Sequence, residues 1–263
     1  MNNTLHNGFR LLDHLAETAE SLSVKVLAEH FQLPCSHVCR LLKSLTATGY
    51  VEQDPTNRKY RISLKILNLA HARLQKERLL ELARPYMRSL AEKLDAAVFV
   101  TRVYQGYSLI VGTEYPPLIP MGSDTVVGTL HSPTSSACGQ ICAAYARETD
   151  RIALLKKIDW TQGGDFQNRP SDFEAELALI RQRGYALRDH GGQPGAVGVP
   201  LFEESCRFNG ALGVMLPPER KRSKELLSSV IESTLNCGRL ITFAQGAPAE
   251  GYPHYNLSAR RKK

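Results

Sequence analysis

No uninterrupted apolar run in this chain approaches the ~18 residues that a membrane-spanning helix requires, so no membrane partner is expected. Met1 to His6 has neither the basic segment nor the apolar stretch of a secretory signal. Cysteine is sparse, six in 263 residues, and reduced thiols in a cytoplasmic protein are the expectation. Cys35 and Cys39, like Cys138 and Cys142, share a C-x3-C spacing. A structural zinc site needs four ligands, and no further pair stands at finger-like spacing, so neither metal nor cofactor is expected. Redox sensing through Cys35 and Cys39 ranks only slightly above metal binding. The chain also lacks a G-x-S-x-G elbow, a Walker loop and an H-E-x-x-H helix. His131-Ser132 and Cys138 invite a nucleophile reading, but neighbours in sequence rarely face each other, and catalysis needs a placed base and orienter.

What is abundant is positive charge, unevenly spread. The net charge is +7, with eleven Lys/Arg against seven Asp/Glu in residues 1–78 and four cations in Arg260-Arg261-Lys262-Lys263. The middle of the chain is close to neutral. A basic end and a neutral centre divide the labour between a polyanion-binding part and a part with another task.

Ser23 to Ile62 explains the basic end. Val24, Leu27, Ala28 and Phe31 recur at the i, i+3, i+4, i+7 spacing of one buried helix face, with Ser23 as N-cap. Gln32-Leu33-Pro34 breaks the period, and Pro34 suits the first position of a second helix. That helix buries Val38, Leu41, Leu42 and Leu45 and presents Ser36, His37, Arg40, Lys43 and Ser44. Short polar groups with cations are what a major groove accepts. Tyr50 to Gln53, a turn at Asp54 to Asn57, and Arg58 to Ile62 read as a hairpin, or wing, with Arg58, Lys59 and Arg61 as further phosphate contacts. Ser36, His37 and Arg40 are the base-edge candidates. A preceding helix, Gly8 to Ala19, turns Phe9, Leu12, Leu15, Ala16 and Ala19 inward. An ordinary packing unit with a solvated cationic face is the bland alternative; the hairpin and its three cations weigh against it.

A helical stretch from Leu64 to about Gln75 follows, with Leu64, Leu67, Ala70 and Leu74 suited to packing against a second copy. Leu79 to Leu94 carries an apolar stripe of Leu79, Leu82, Tyr86, Leu90 and Leu94, and Pro85 within it should kink or restart the helix. Beyond Ala96, β-rich runs meet at a Gln105-Gly106 hairpin, and Leu118 to Val127 reads as irregular strand. Gly139 to Ala146, Asp150 to Ile158 and Asp172 to Arg183 read as helices. Tyr185 to Arg188, Ala196 to Phe202 and Gly210 to Leu216 read as strands, before a last helix from Ser223 to about Phe243. The expected fold is α+β: a winged helix-turn-helix (1–62), a linker helix (63–78), an antiparallel sheet with flanking helices (79–246) and a disordered basic tail (247–263).

In order and spacing, the motifs resemble the IclR family of bacterial transcriptional regulators from Leu5 to Gly246. The resemblance rests on Leu27-Ala28-Glu29-His30-Phe31-Gln32-Leu33-Pro34 with Ser36, Val38 and Arg40-Leu41-Leu42, and on Gly49-Tyr50-Val51 with Tyr60-Arg61-Ile62. It continues in Ala83-Arg84-Pro85-Tyr86-Met87, Leu130-His131-Ser132 with Gly139, and Arg183-Gly184-Tyr185-Ala186. It implies a GAF-like effector domain, a small-molecule effector, and homodimers or tetramers on double-stranded operator DNA, with repression more expected than activation. By position it also implies a pocket at Ser135, Ser136, Arg188, Asp189, Val197, Gly213 and Met215.

The pocket departs from the family pattern. Arg188 stands where an acid is common, Gly195 to Pro200 lacks the customary cysteine, and Gly213 and Met215 replace two serines. An inward Arg188 would suit the carboxylate of a small organic or sugar-derived acid, and Gly213 with Met215 would leave one wall roomier and more apolar. The alternatives are an Arg188 paired to Asp189 or Glu203 on the surface, and a protein-interaction module that has lost ligand response.

Overall fold

The computed structural model describes residues 3–117, 125–162, 166–190, 193–216, 223–248 and 252, without the side chains of 162, 189, 190, 193 and 194. The chain divides into two compact units, 1–77 and 78–263.

The N-terminal unit packs α1 (Asn3–Glu17), α2 (Val24–Phe31) and α3 (Cys35–Ala47) beside a two-stranded wing of β1 (Val51–Gln53) and β2 (Tyr60–Ile62). Its core is Leu11, Leu15, Leu27, Ala28, Val38, Leu41 and Leu42, closed by Val51 and Tyr60. Ser23 caps α2 by accepting from the Val26 amide, and Gln32 ends it in a left-handed turn at φ 53°. The inner face expected for α1 needs correction. Leu11 is fully buried and Phe9 is 62 % exposed, while Ala16 and Ala19 lie in solvent. At ~100° per residue Phe9 falls about 160° from Leu11, so one face cannot bury both. Pro34 is the cap of α3 rather than its first residue. The following helix, α4 (Ile66–Leu74), buries none of its residues.

The C-terminal unit is a six-stranded sheet of order β5-β4-β3-β8-β7-β6, antiparallel throughout. Its strands are β3 (Ala97–Tyr104), β4 (Tyr107–Glu114), β5 (Leu130–His131), β6 (Ala186–His190), β7 (Gln193–Phe202) and β8 (Phe208–Met215). On one face lie α5 (Arg78–Leu94) and α9 (Lys224–Ala244). The other face carries α6 (Ala137–Tyr145), with α7 (Glu148–Leu155) and α8 (Pro170–Arg183) packed behind it. Register assigns each residue to a face, because side chains alternate along a strand. Ala186, Ala211, Phe99 and Ile110 join the core under α6, whereas Val199 meets α9 at Gly238.

Several expectations change here. Helix α5 runs unbroken through Pro85, which is exposed, so the carbonyl it leaves unbonded faces water. The buried stripe of α5 is Leu79, Leu80, Ala83, Met87, Leu90, Ala91 and Leu94, with Leu82 and Tyr86 only half-buried. The strand expected from Leu118 to Val127 falls outside the described residues up to position 124, and 125–128 form a turn. The tail does not leave the fold at 247. Ala247 is buried, and Tyr252 is 3 % exposed, its hydroxyl donating to the Pro200 carbonyl at 2.9 Å and its ring set edge-on to Phe202.

Candidate functional site

Two sites were expected, one in each unit. On α3, Ser36, Arg40, Lys43 and Ser44 are exposed and His37 half-buried, while Val38, Leu41 and Leu42 face the core. Arg40 reaches back to His37 Nδ1 at 3.3 Å. A guanidinium can only donate, so Nδ1 is the acceptor in this contact, which orients both side chains. The Ser44 hydroxyl donates to the Arg40 carbonyl and keeps its lone pairs as acceptors.

The wing is rigid at its tip. The Asp54 carboxylate accepts from the Thr56 and Asn57 amides and from Asn57 Nδ2. Asn57 Oδ1 then accepts from the Lys59 amide, and Arg58 sits at φ 59°. The bond from the Thr56 amide, foremost, holds the Asp54 carboxyl below its ordinary range. Arg58 and Lys59 are exposed with no ion pair among the described residues. Arg61 differs: it faces Glu52 across the ladder, with its guanidinium 3.2 Å from that carboxylate. Its charge is already partly neutralised.

In the C-terminal unit the expected pocket residues come together only in part. Gly213 pairs with Gly198 and Phe99, and Met215 with Ala196 and Ala97. All of these face α6. Arg188 pairs with Ala196 and stands two residues from the buried Ala186, so it shares that face. It is half-buried, with its Nε shielded from solvent. Val197 pairs with Val214 and points to the opposite face, toward α5 and α9. A shift of one residue inverts a strand's faces, so Ala196 and Gly198, not Val197, belong beside Gly213. Ser136 caps α6, accepting from Gly139 and donating to the Ser132 carbonyl. Ser135 is exposed. The side chain of Asp189 lies outside the described residues.

Gly213 does not make a roomier wall. A Cβ there would overlap the Phe99 ring and stand 2.7 Å from Cys138 Sγ, and one on Gly198 would stand 2.9 Å from the Ala137 backbone. The space that glycine opens is filled by Phe99 and by the first turn of α6. Phe99 is the residue the pattern did not single out; its edge-on contact with the His131 ring at 6.3 Å places His131 beside the same compartment. Glu203 is eliminated as the partner of Arg188. It lies seven residues along from Ala196, roughly 23 Å of strand, and accepts from Ser205 and Arg207.

Nucleophilic chemistry has no support in this geometry. The Ser132 hydroxyl is engaged with Thr134. Burial pushes the Cys138 thiol well up and that of Cys142 to about 12, so neither supplies a thiolate. Among the described residues no group of three His, Cys, Asp or Glu is placed to hold a metal, and no helix is long and apolar enough to cross a membrane.

Comparison with known proteins covers both units. Residues 4–55 match the IclR helix-turn-helix domain and residues 71–243 the bacterial transcriptional regulator IclR C-terminal domain. The HTH-type transcriptional regulator XynR of Escherichia coli is 23 % identical over 94 % of this chain and 98 % of its own. An IclR family regulator from Brucella abortus superposes with a TM-score of 0.78 at 21 % identity, over 93 % and 92 % of the two chains. An IclR homolog from Microbacterium hydrocarbonoxydans, solved with 4-hydroxybenzoate, gives 0.71 at 17 % identity over 92 % and 98 %.

Proposed function

The chain belongs to the IclR family of bacterial transcriptional regulators, DNA-binding proteins rather than enzymes, and we propose that it is a cytoplasmic repressor whose hold on operator DNA is set by a small organic acid. The observation that carries the reading is the outer face of α3. Ser36, Arg40, Lys43 and Ser44 are exposed over buried leucines, beside a wing that offers Arg58 and Lys59. The hydrophobic anchor fixes the rod; the polar face is free for bases and phosphates.

Two copies act together. Leu5 and Phe9 on α1 are about 60 % exposed, and Leu64 and Leu67 at and on α4 are 79 % and 59 % exposed. Apolar surface of this kind on a small unit is satisfied by a second copy, which sets two recognition helices at a half-site spacing. The effector sits on the α6 face with its carboxylate toward Arg188, between Met215 and the Phe99 ring. A relative solved with an aromatic carboxylate supports that class. The effector works by preferring one of two arrangements of the dimer, with leverage of about 1–3 kcal/mol.

A second reading, a DNA-binding module without ligand response, is favoured by one observation: Phe99 and Cys138 fill the space over Gly213. Calorimetric titration with a panel of sugar acids, keto acids and aromatic acids separates the two. Saturable heat that is lost in Arg188→Ala supports the sensor. Equal binding by that variant removes Arg188 from the site, and silence across the panel favours the module.

A further inference from the structure

We propose that the C-terminal unit carries a second small-molecule site, at the end of the sheet remote from Arg188, that takes an organic anion with an apolar body. The inference is independent of the effector reading above. The site is a cleft of about 780 Å3 where the β3–β4 hairpin, the end of α6, α7 and the β7–β8 turn converge. That volume falls within the ~300–1,000 Å3 typical of small-molecule pockets. Strand β8 measures the separation. Phe208 lines the cleft, while Met215 lies beside Arg188 in the register, seven residues or roughly 23 Å away.

Its floor is apolar. Val103, Cys142, Leu154 and Phe208 contribute, and Tyr145 lies parallel to Phe208 with ring centres 5.8 Å apart. The Cys142 thiol stays protonated because burial pushes it up to about 12, so the floor presents no charge. The rim is ionic and unbalanced, with Arg147, Lys157 and Arg207 against Asp150 and Glu203. Both arginines pair through Nε, Arg147 to Asp150 at 2.8 Å and Arg207 to Glu203 at 2.6 Å. Their terminal nitrogens are not used in these pairs and remain as donors. Lys157 makes no ion pair among the described residues. One surplus cation above an uncharged floor selects a monoanion whose body is buried and whose head stays at the mouth.

The test uses the full-length protein and 8-anilinonaphthalene-1-sulfonate, an apolar-bodied anion, followed by its emission, with octanoate as competitor. The expected result is one saturable site per chain, displaced by octanoate. Lys157→Glu should weaken it roughly tenfold, Ala153→Phe at the rim should abolish it, and Arg188→Ala should leave it unchanged. Unaltered far-ultraviolet dichroism and Trp160 emission confirm that each variant is folded. Absence of saturable binding, or full binding by both cleft variants, overturns the proposal. So does loss of binding in Arg188→Ala, which places the probe at the other end of the sheet. A failed effector titration leaves this result untouched.

Discussion

Along α3 and the wing the candidate DNA contacts stand in solvent over a small leucine core, whereas in the C-terminal unit the chemically distinctive groups are enclosed. Arg40, Lys43, Arg58 and Lys59 are exposed; Cys138, Cys142 and Cys237 are buried, and Arg188 is half-buried against the sheet. On the proposed function, the difference follows from what each unit is built to meet. A polyanion is held by many screened contacts that must form and break, so cations stay hydrated until it arrives. A small ligand is held by exclusion of water, so its partners are placed before it binds. On that proposal, substitutions among the exposed groups are expected to change affinity and salt dependence, and substitutions among the enclosed ones stability and its pH dependence.

The largest expected effects come from the two cores, and they should separate. Leu42→Ala removes a fully buried side chain at a cost of about 2–5 kcal/mol, enough to unfold a unit of this size and abolish operator binding. Trp160, the chain's one tryptophan, packs edge-on to Phe173 and reports on the C-terminal unit alone. Its thermal transition should stay in place in Leu42→Ala and fall in Gly213→Val, whose branches would collide with Phe99 and Cys138; overpacking of this kind costs about 1–3 kcal/mol. A single transition displaced equally by both variants would erase the distinction between the units.

Alkali should act next, and on the C-terminal unit. Cys142, Cys237 and Tyr145 are each pushed up to about 12 by burial. A thiol of ordinary value loses its proton near pH 9 when the chain unfolds and keeps it when folded. Below pH 9 both states hold the proton and stability does not change; between pH 9 and 12 the unfolded state binds fewer protons and stability falls. The fall approaches about 1.4 kcal/mol per pH unit for each such thiol. Cys142→Ala should flatten the decline in denaturant midpoint between pH 9 and 12, and an unchanged slope would mean that the thiol is not enclosed.

The smallest effect distinguishes two cations of the wing. Lys59→Ala should reduce the slope of log affinity against log salt by about 1, as for loss of one phosphate contact. Arg61→Ala should change it less, because Glu52 already neutralises that guanidinium. Equal changes in the two slopes would show that the Glu52 pair opens on DNA.

Much of this was legible in the residues. The cap at Ser23, the start of the last helix at Ser223, the buried side of α3 and the Gln105-Gly106 turn all stand where local rules put them, because a cap, a helical stripe or a hairpin is decided within a few neighbouring residues. Phe9 shows the limit: it is apolar and helical, yet 160° off the stripe that Leu11 defines. Val197 shows a sharper one. Between glycines and alanines a strand has little alternation to read, and a one-residue error sends a side chain through the sheet. Tyr252 lay in a stretch rich in proline, glycine and charge, where nothing local marks a docked ring.

By itself the chain of residues determined the winged helix-turn-helix, the antiparallel sheet with its helices, and the placement of positive charge, since each follows from short-range periodicity or from composition. Only the tertiary structure decided which face of the sheet Val197 and Gly213 occupy, that Phe99 fills the space glycine leaves, and that α6, α7 and two strand connections line a cleft at one end of the sheet. Those depend on which distant segments meet, and contact across tens of residues leaves no local period to read.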